Sequence, residues 1–519
     1  MSNKTLFFAL AGMALAFSAR ADVPPSFEEY RSNMKERYQS FRNQKLTEFQ
    51  QFRNRINEEY AEFMRGNWIS HDIEKAEPVP PSPEPPVPPQ ADPQESPSND
   101  ELPVAVVKPL PQPTPPPMPL LPDAEIPTRV TPQGTPTLGQ IPRPAVPEPQ
   151  CNPEMSVPAG ESVNFDFYGS TFSVPFDPSL RLSLPRADEA AVADGWMQLS
   201  ADESMPTLKA LLQIREDRQL CDWAYIFLTD RFADAVFPDK KNEATLLKMF
   251  LLTQSGYKVR IGKSDLGLMM LIPSNETLYN YRFLRIGGEK YYIYEDQDKS
   301  LGSINIFDRE FPREQFFSVG MFEQPQLEVL PAERRTLQSK RNPEAKMEVV
   351  VNRNLIDFYN DYPEHSNWEL DVVASLSGAA KEQMYPALRK AIEGKTVPEA
   401  ANVLLQFVQT AFEYMTDEEQ FGYERPLFPD ETLYYPYCDC EDRSILYAVL
   451  VRDLLGLEIV LLHYPGHLAT AVCFDEDVAG DHFMVDGKKY VVCDPTFINA
   501  RIGKAMKQYK GVQAEIVKI

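Results

Sequence analysis

Apolar positions divide the chain into stretches of different period. Over residues 26–68, Phe27, Tyr38, Phe49 and Tyr60 recur every eleven positions, and Tyr30, Phe41, Phe52 and Phe63 recur three residues behind them. Arg31, Arg42 and Arg53 follow the second series directly; Met34 and Ile56 fill the next apolar slot, which Lys45 breaks. Eleven residues fit three turns at about 3.67 per turn, so the aromatic stripe stays on one side of a nearly straight helix. Such a stripe needs cover. Packing on the protein's own domains, self-association, or docking to a partner protein or the cell surface would supply it; a protein contact is expected.

From residue 75 to 150 the periodicity disappears. Of the 48 prolines, 26 lie between Pro78 and Pro149. This predicts an extended spacer, mostly polyproline II, reaching roughly 200 Å at about 3.1 Å per residue. Residues 155–335 then read as a mixed domain. A hairpin is expected over Val163 to Val174 with Tyr168-Gly169-Ser170 at its turn. Helical periodicity follows in Leu208–Leu212, Trp223–Phe232 and Ala244–Leu252. Strands follow at 257–261, 267–272, 281–286 and 290–294. Residues 345–519 repeat that order. A strand region at 346–358 precedes a helix that starts at the capping box Thr396-Val397-Pro398-Glu399 and continues through 403–412. After a long loop at 417–436 come a helix at 441–455 and strands at 457–462, 467–474, 482–485 and 489–493. The fold class is therefore α+β, with two domains behind a helical segment (residues 22–74) and a proline-rich linker.

Composition narrows the function. The formal net charge of −24 over 519 residues argues against nucleic acid and against anionic lipid as partners, since both require a basic face. A hydrophobic content of 43% excludes wholesale disorder. Lys4, the apolar run from Leu6 to Phe17 and Ala19-Arg20-Ala21 read as a signal peptide over residues 1–21, with a mature start at Asp22 and a secreted or periplasmic destination. No later stretch has 18 continuous apolar residues, so no transmembrane segment is expected. Six cysteines are too few for a disulfide scaffold, and four of them (Cys438, Cys440, Cys473 and Cys493) fall near the C-terminal end.

The chemistry concentrates there. Cys440 opens the helix whose core face is Ile445, Leu446, Val449, Leu450 and Leu454. Free N–H groups and the helix dipole stabilise a thiolate at that position. His467 begins a strand after Tyr464-Pro465-Gly466, and Asp494 ends another in Cys493-Asp494-Pro495-Thr496. A cysteine, a histidine and a carboxylate so placed can form a triad for acyl transfer. Cys438 is an alternative nucleophile, and His463 and His482 are alternative bases. Cys438, Cys440, Cys493 and His467 would be an alternative zinc set, but it lacks a second closely spaced ligand pair. A Cys438–Cys493 disulfide would leave Cys440 free.

Cys440-Glu441-Asp442, Leu455-Gly456-Leu457, Gly466-His467-Leu468-Ala469, Asp486-Gly487-Lys488-Lys489-Tyr490 and Asp494-Pro495-Thr496, in that order, resemble the transglutaminase-like superfamily of papain-like cysteine enzymes. The resemblance covers residues 396–500, about a fifth of the chain. It implies a helix bearing the cysteine packed on an antiparallel sheet, and catalytic Cys440, His467 and Asp494. It further implies a protein or peptide substrate, amide hydrolysis or crosslinking through a thioester, and no metal or organic cofactor. Asp442 matches the family's carboxylate, which favours Cys440 over Cys438. Thr470 stands where many members carry an aromatic residue. The Cys440 N–H would help hold the oxyanion, with Tyr435 and Tyr437 as candidates beside it.

A shift of 200 residues sets Gly256-Tyr257-Lys258-Val259 under Gly456-Leu457-Glu458-Ile459, and a shift of 199 sets Gly288-Glu289-Lys290-Tyr291 under Gly487-Lys488-Lys489-Tyr490. Residues 155–335 are thus expected to be a second copy in which Lys240, Gly267 and Glu295 replace the triad. A chain that keeps this fold as a non-catalytic scaffold or binding protein at the cell envelope is the competing expectation.

Overall fold

The computed structural model describes residues 27–81, 85–92, 94, 96–122, 161–294 and 300–519, with side chains from residue 34 onward. The expected signal peptide, Cys151 and the distal part of the spacer lie outside the described residues. The chain divides into two units, 1–55 and 56–519. The described part of the first unit is helical and belongs to α1, Phe27–Met64, in agreement with the eleven-residue repeat. Met34, Tyr38 and Phe41 are exposed on it. The last turns of α1 lie in the second unit, where Ile56, Tyr60 and Met64 are buried. The Tyr60 ring lies 5.0 Å from that of Trp196 and 5.0 Å from that of Phe311. Over these turns Ile56 and Tyr60 of the stripe are covered by the protein's own core, while Phe63 stays exposed.

The second unit is mixed α+β, with two six-stranded sheets. The strands are β1 (Ile69–Asp72), β2 (Val104–Lys108), β3 (Arg260–Ser264), β4 (Gly267–Pro273), β5 (Phe283–Ile286), β6 (Glu289–Ile293), β7 (Ser303–Ile306), β8 (Ile459–Tyr464), β9 (His467–Cys473), β10 (His482–Val485), β11 (Lys488–Cys493) and β12 (Ala514–Lys518). The first sheet has the order β1-β7-β3-β4-β6-β5, and the second β2-β12-β8-β9-β11-β10. Helix α2 (Lys241–Gln254) packs on β4, and helix α3 (Cys440–Leu455) packs on β8 and β9. Gly456 ends α3 in the left-handed conformation (φ 68°), and its N–H reaches the Arg452 carbonyl at 3.1 Å.

The registers of the two sheets correspond. In the first hairpin Arg260 faces Leu271; 200 residues later Val460 faces Ala471. Phe283 faces Tyr292, and 199 residues later His482 faces Val491. Across the sheet, Leu271 faces Ile293 and Ala471 faces Val492, the same two offsets combined. A one-residue slip would turn every side chain to the wrong face, so the agreement covers core and surface positions alike. Strands β7 and β12 escape the sequence reading because each is short and follows a stretch of sequence without hydrophobic periodicity.

The proline-rich stretch departs from the spacer expectation. Across residues 75–122 its described residues lie on the body. β1 pairs antiparallel with β7, and β2 pairs parallel with β12. Between them Ala91 donates to Ile498 O at 2.8 Å, Ile498 donates to Pro89 O at 2.9 Å, and Leu102 donates to His482 O at 2.8 Å. Prolines cannot donate, but their carbonyls accept, and both strands fall in proline-free windows at sheet edges, where an extended chain fits. The strand region expected at 346–358 is shorter than read: Lys346–Val349 is a strand, and Arg353–Asp361 is a helix capped by the Asn352 side chain.

Candidate active site

Asp439 caps α3, and its backbone N–H donates to Asp442 Oδ2 at 3.2 Å; the Leu427 N–H donates to Asp442 Oδ1 at 2.8 Å. Asp442 therefore clamps the loop on which the helix starts and sets the position of Cys440. The thiol donates to Glu441 Oε2 at 3.2 Å, and the Leu468 N–H donates to Cys440 Sγ at 3.1 Å. Ser444 Oγ donates to the Leu468 carbonyl at 2.9 Å. Helix and histidine strand are thus clasped on both sides of Leu468.

His467 Nε2 lies 3.0 Å from Asp494 Oδ2, and both side chains are buried. Asp494 Oδ1 accepts the N–H groups of Thr496 (2.9 Å) and Phe497 (3.1 Å). Gln409 Nε2 lies 2.9–3.1 Å from the carbonyls of Asp494, Phe497 and Ala500 and pins the same loop. The Tyr509 ring stacks on His467 at 5.1 Å and 11°. With Nε2 directed at Asp494, Nδ1 is the ring nitrogen left to take a proton. Cys440, Gly466 and His467 line one cavity of about 410 Å³. His467 thus meets Asp494 and shares the cavity with Cys440.

The alternatives fall elsewhere. Burial pushes the Cys438 thiol up to about 11 and the Cys493 thiol up to about 12, so both stay neutral. The five described cysteines are free thiols, so the Cys438–Cys493 disulfide is not formed. Among the described residues, Cys438, Cys440, Cys493 and His467 do not gather their ligand atoms into a zinc site. His482 Nδ1 lies 2.9 Å from the Gly480 carbonyl, away from the cavity. His463 does line the cavity, but its ring lies 5.1 Å from that of Trp368, and burial lowers its pKa. The Tyr435 hydroxyl donates to Asn360 Oδ1 at 2.9 Å, and neither it nor Tyr437 lines the cavity.

Two features went unread in the sequence. His365 lines the cavity with its side chain buried; its Nε2 is 3.2 Å from Asp371 Oδ1, and its Nδ1 has no partner. Beside Cys440 lies a group of carboxyls. The oxygens of Asp417, Glu424 and Glu441 lie within 4.8 Å of one another, as do those of Asp417, Asp439 and Asp442. Such a set could hold a divalent cation through oxygen ligands. Burial, then Asp442, Glu441 and Glu424, push Asp417 far above the usual carboxylate range. For Asp442, burial and the neighbouring Glu441 outweigh its two N–H donors, and its pKa also rises. Asp417 opens one helix while Asp439 and Asp442 stand at the start of another, and no local sequence signal announces that they meet.

At the corresponding place in the first sheet, Lys240 precedes α2, and Asn242 Oδ1 accepts the Leu268 N–H at 2.8 Å. Asn242 makes there the contact that the thiol makes with Leu468. Gly267 has φ 114°, and a Cβ on it would stand 2.4 Å from Asn242 Oδ1. Glu295 lies outside the described residues. No family model matches the chain, and no known protein or solved structure was found to be significantly similar to it.

Proposed function

We propose that the protein is an exported cysteine acyl-transfer enzyme of transglutaminase-like type, acting on a protein or peptide carboxamide. The observation that carries this reading is the buried His467–Asp494 pair at 3.0 Å beside a thiol that accepts a backbone N–H at 3.1 Å. In the proposed reaction Cys440 Sγ attacks the carbonyl carbon while its proton passes to His467 Nδ1. The oxyanion is held by the Cys440 N–H. The C–N bond then breaks, the leaving amine takes the proton from His467, and a thioester remains. Water or an amine, deprotonated by His467, attacks the thioester and releases Cys440. Asp494 holds the imidazole orientation throughout.

The matching strand orders and register offsets support a second part of the reading. The two sheets with their helices derive from one papain-like unit, and the first has lost its nucleophile. The two lobes, 155–335 and 345–519, are then a supporting and a catalytic half. The leader-like residues 1–21 support export to the periplasm or beyond.

A non-catalytic scaffold is the second reading. It is favoured by the burial of Cys440 and by the bond from its thiol to Glu441. The deciding experiment incubates the full mature chain with a glutamine-rich protein such as casein, with and without a fluorescent amine, and compares it with Cys440→Ala. Cleavage, ammonia release or amine incorporation that vanishes in the variant supports the enzyme. Identical traces for both proteins reject it.

A further inference from the structure

The cavity over Cys440 has a wall that is not part of either sheet. Val79, Pro80 and Pro81, from the proline-rich arm, line it together with Cys440 and His467. The arm is tied down on both sides of this crossing. Ahead of it, Asn280 N donates to Glu77 O at 2.8 Å, and Lys290 Nζ pairs with the Glu77 carboxylate at 2.7 Å. Beyond it, the Tyr414 hydroxyl donates to Pro85 O at 2.7 Å. The other walls include the rings of Tyr279, Trp368, His463 and His365. Aromatic rings that line a groove are the surface on which an extended prolyl chain packs, and such a chain arrives with little conformational entropy to lose. Its carbonyls have no internal partners, and the buried, unbonded Nδ1 of His365 can donate to one when the ring is protonated, a state that Asp371 beside Nε2 favours over the cost of burial.

We infer that the groove over Cys440 is a binding site for an extended, proline-bearing polypeptide, and that residues 79–81 of the chain occupy it in cis, shutting the thiol off until a segment of the same chemistry displaces them. The inference rests on the acyl-transfer reading for the identity of the site and adds to it a substrate class and an intramolecular block. The arm's anchors lie outside the crossing, so the strap can lift there while β1 and β2 stay paired.

The test follows alkylation of Cys440 by iodoacetamide, read by mass spectrometry on the intact mature chain. Replacing Val79, Pro80 and Pro81 together by glycine should raise the rate at least about tenfold, the step expected when the open form is a minority of a tenth or less. A synthetic peptide with the sequence of residues 76–88 should slow labelling of that variant, and the same peptide with its prolines replaced by glycine should not. Equal rates in the native chain and the strap variant, or equal protection by both peptides, overturn the inference. If the triple variant does not fold, Pro80→Gly alone must move the rate in the same direction, and its failure to do so counts equally against the idea. Fast labelling without Cys440-dependent turnover would sink the enzyme reading alone; turnover with unchanged labelling would sink the strap alone.

Discussion

The His467 ring is gripped from Asp494 through Nε2, while Asp494 is itself held by two backbone N–H groups from the turn that follows it. The carboxylate is therefore fixed before it fixes the histidine. Asp494→Asn keeps the size and the N–H acceptor but offers His467 an amide, which can stabilise the wrong tautomer. Turnover should fall by about 10³–10⁴-fold with little change in melting temperature. A loss below tenfold, measured in steady state on a protein of native circular dichroism, would show that Asp494 does not orient the base.

Glu441 places a negative charge 3.2 Å from Cys440 Sγ. That charge opposes thiolate formation at a helix start that otherwise favours it. Glu441→Gln should raise the second-order rate of Cys440 alkylation at neutral pH by about tenfold. An unchanged rate would mean that access, and not charge, limits the thiol.

Asp417 faces Asp442, Glu441 and Glu424 from a buried position, and burial together with these charges raises its pKa. The folded state therefore holds a proton that the unfolded chain releases near pH 4. The stability this supplies is full below that pH and is lost as pH rises toward the folded-state value, at up to about 1.4 kcal/mol per pH unit. Asp417→Asn cannot titrate and keeps an acceptor for the Arg425 N–H, which bonds the native carboxyl at 2.7 Å. Its melting temperature relative to the native chain should climb from pH 5 to pH 9. A constant difference across that range would refute the assignment.

In the first lobe Arg260 is buried and meets Glu314 through two bonds, at 2.9 and 2.7 Å. Glu314→Ala strands the guanidinium and should cost about 3–5 kcal/mol in urea unfolding. The paired change Arg260→Met with Glu314→Leu should cost far less, because no buried charge remains. Equal losses in the two proteins would show that packing, and not charge, governs the site.

The parts of this site that could be read in the sequence are those with local punctuation. Cys440 starts an apolar helical period, His467 follows Pro465-Gly466, and Asp494 precedes Pro495; each signal lies within a few residues of the group it places. The paired registers were visible for the same reason, because Gly256 with Gly456 and Gly288 with Gly487 mark equivalent turns. What stayed hidden depends on distant partners. Asp417 opens a short helix and Asp439 caps α3, two places whose meeting no local pattern announces, and His365 reaches the cavity from a segment with no regular repeat. Val79, Pro80 and Pro81 look like any other part of a proline run, because polyproline II has no hydrophobic period to reveal what it touches. A proline-rich composition predicts an extended chain but does not report its contacts.

Strand β2 is synthesised roughly 400 residues before its neighbour β12, with Val104 facing Ala514 in the finished sheet. While the ribosome works, the arm has nothing to pair with on that side. The second sheet can gain this outer edge only once β12 has emerged, so the earliest-made strand of the sheet is among the last to join it. Completion of the second sheet is thereby coupled to the emergence of β12: a product truncated before that strand would leave the arm's second half without its partner.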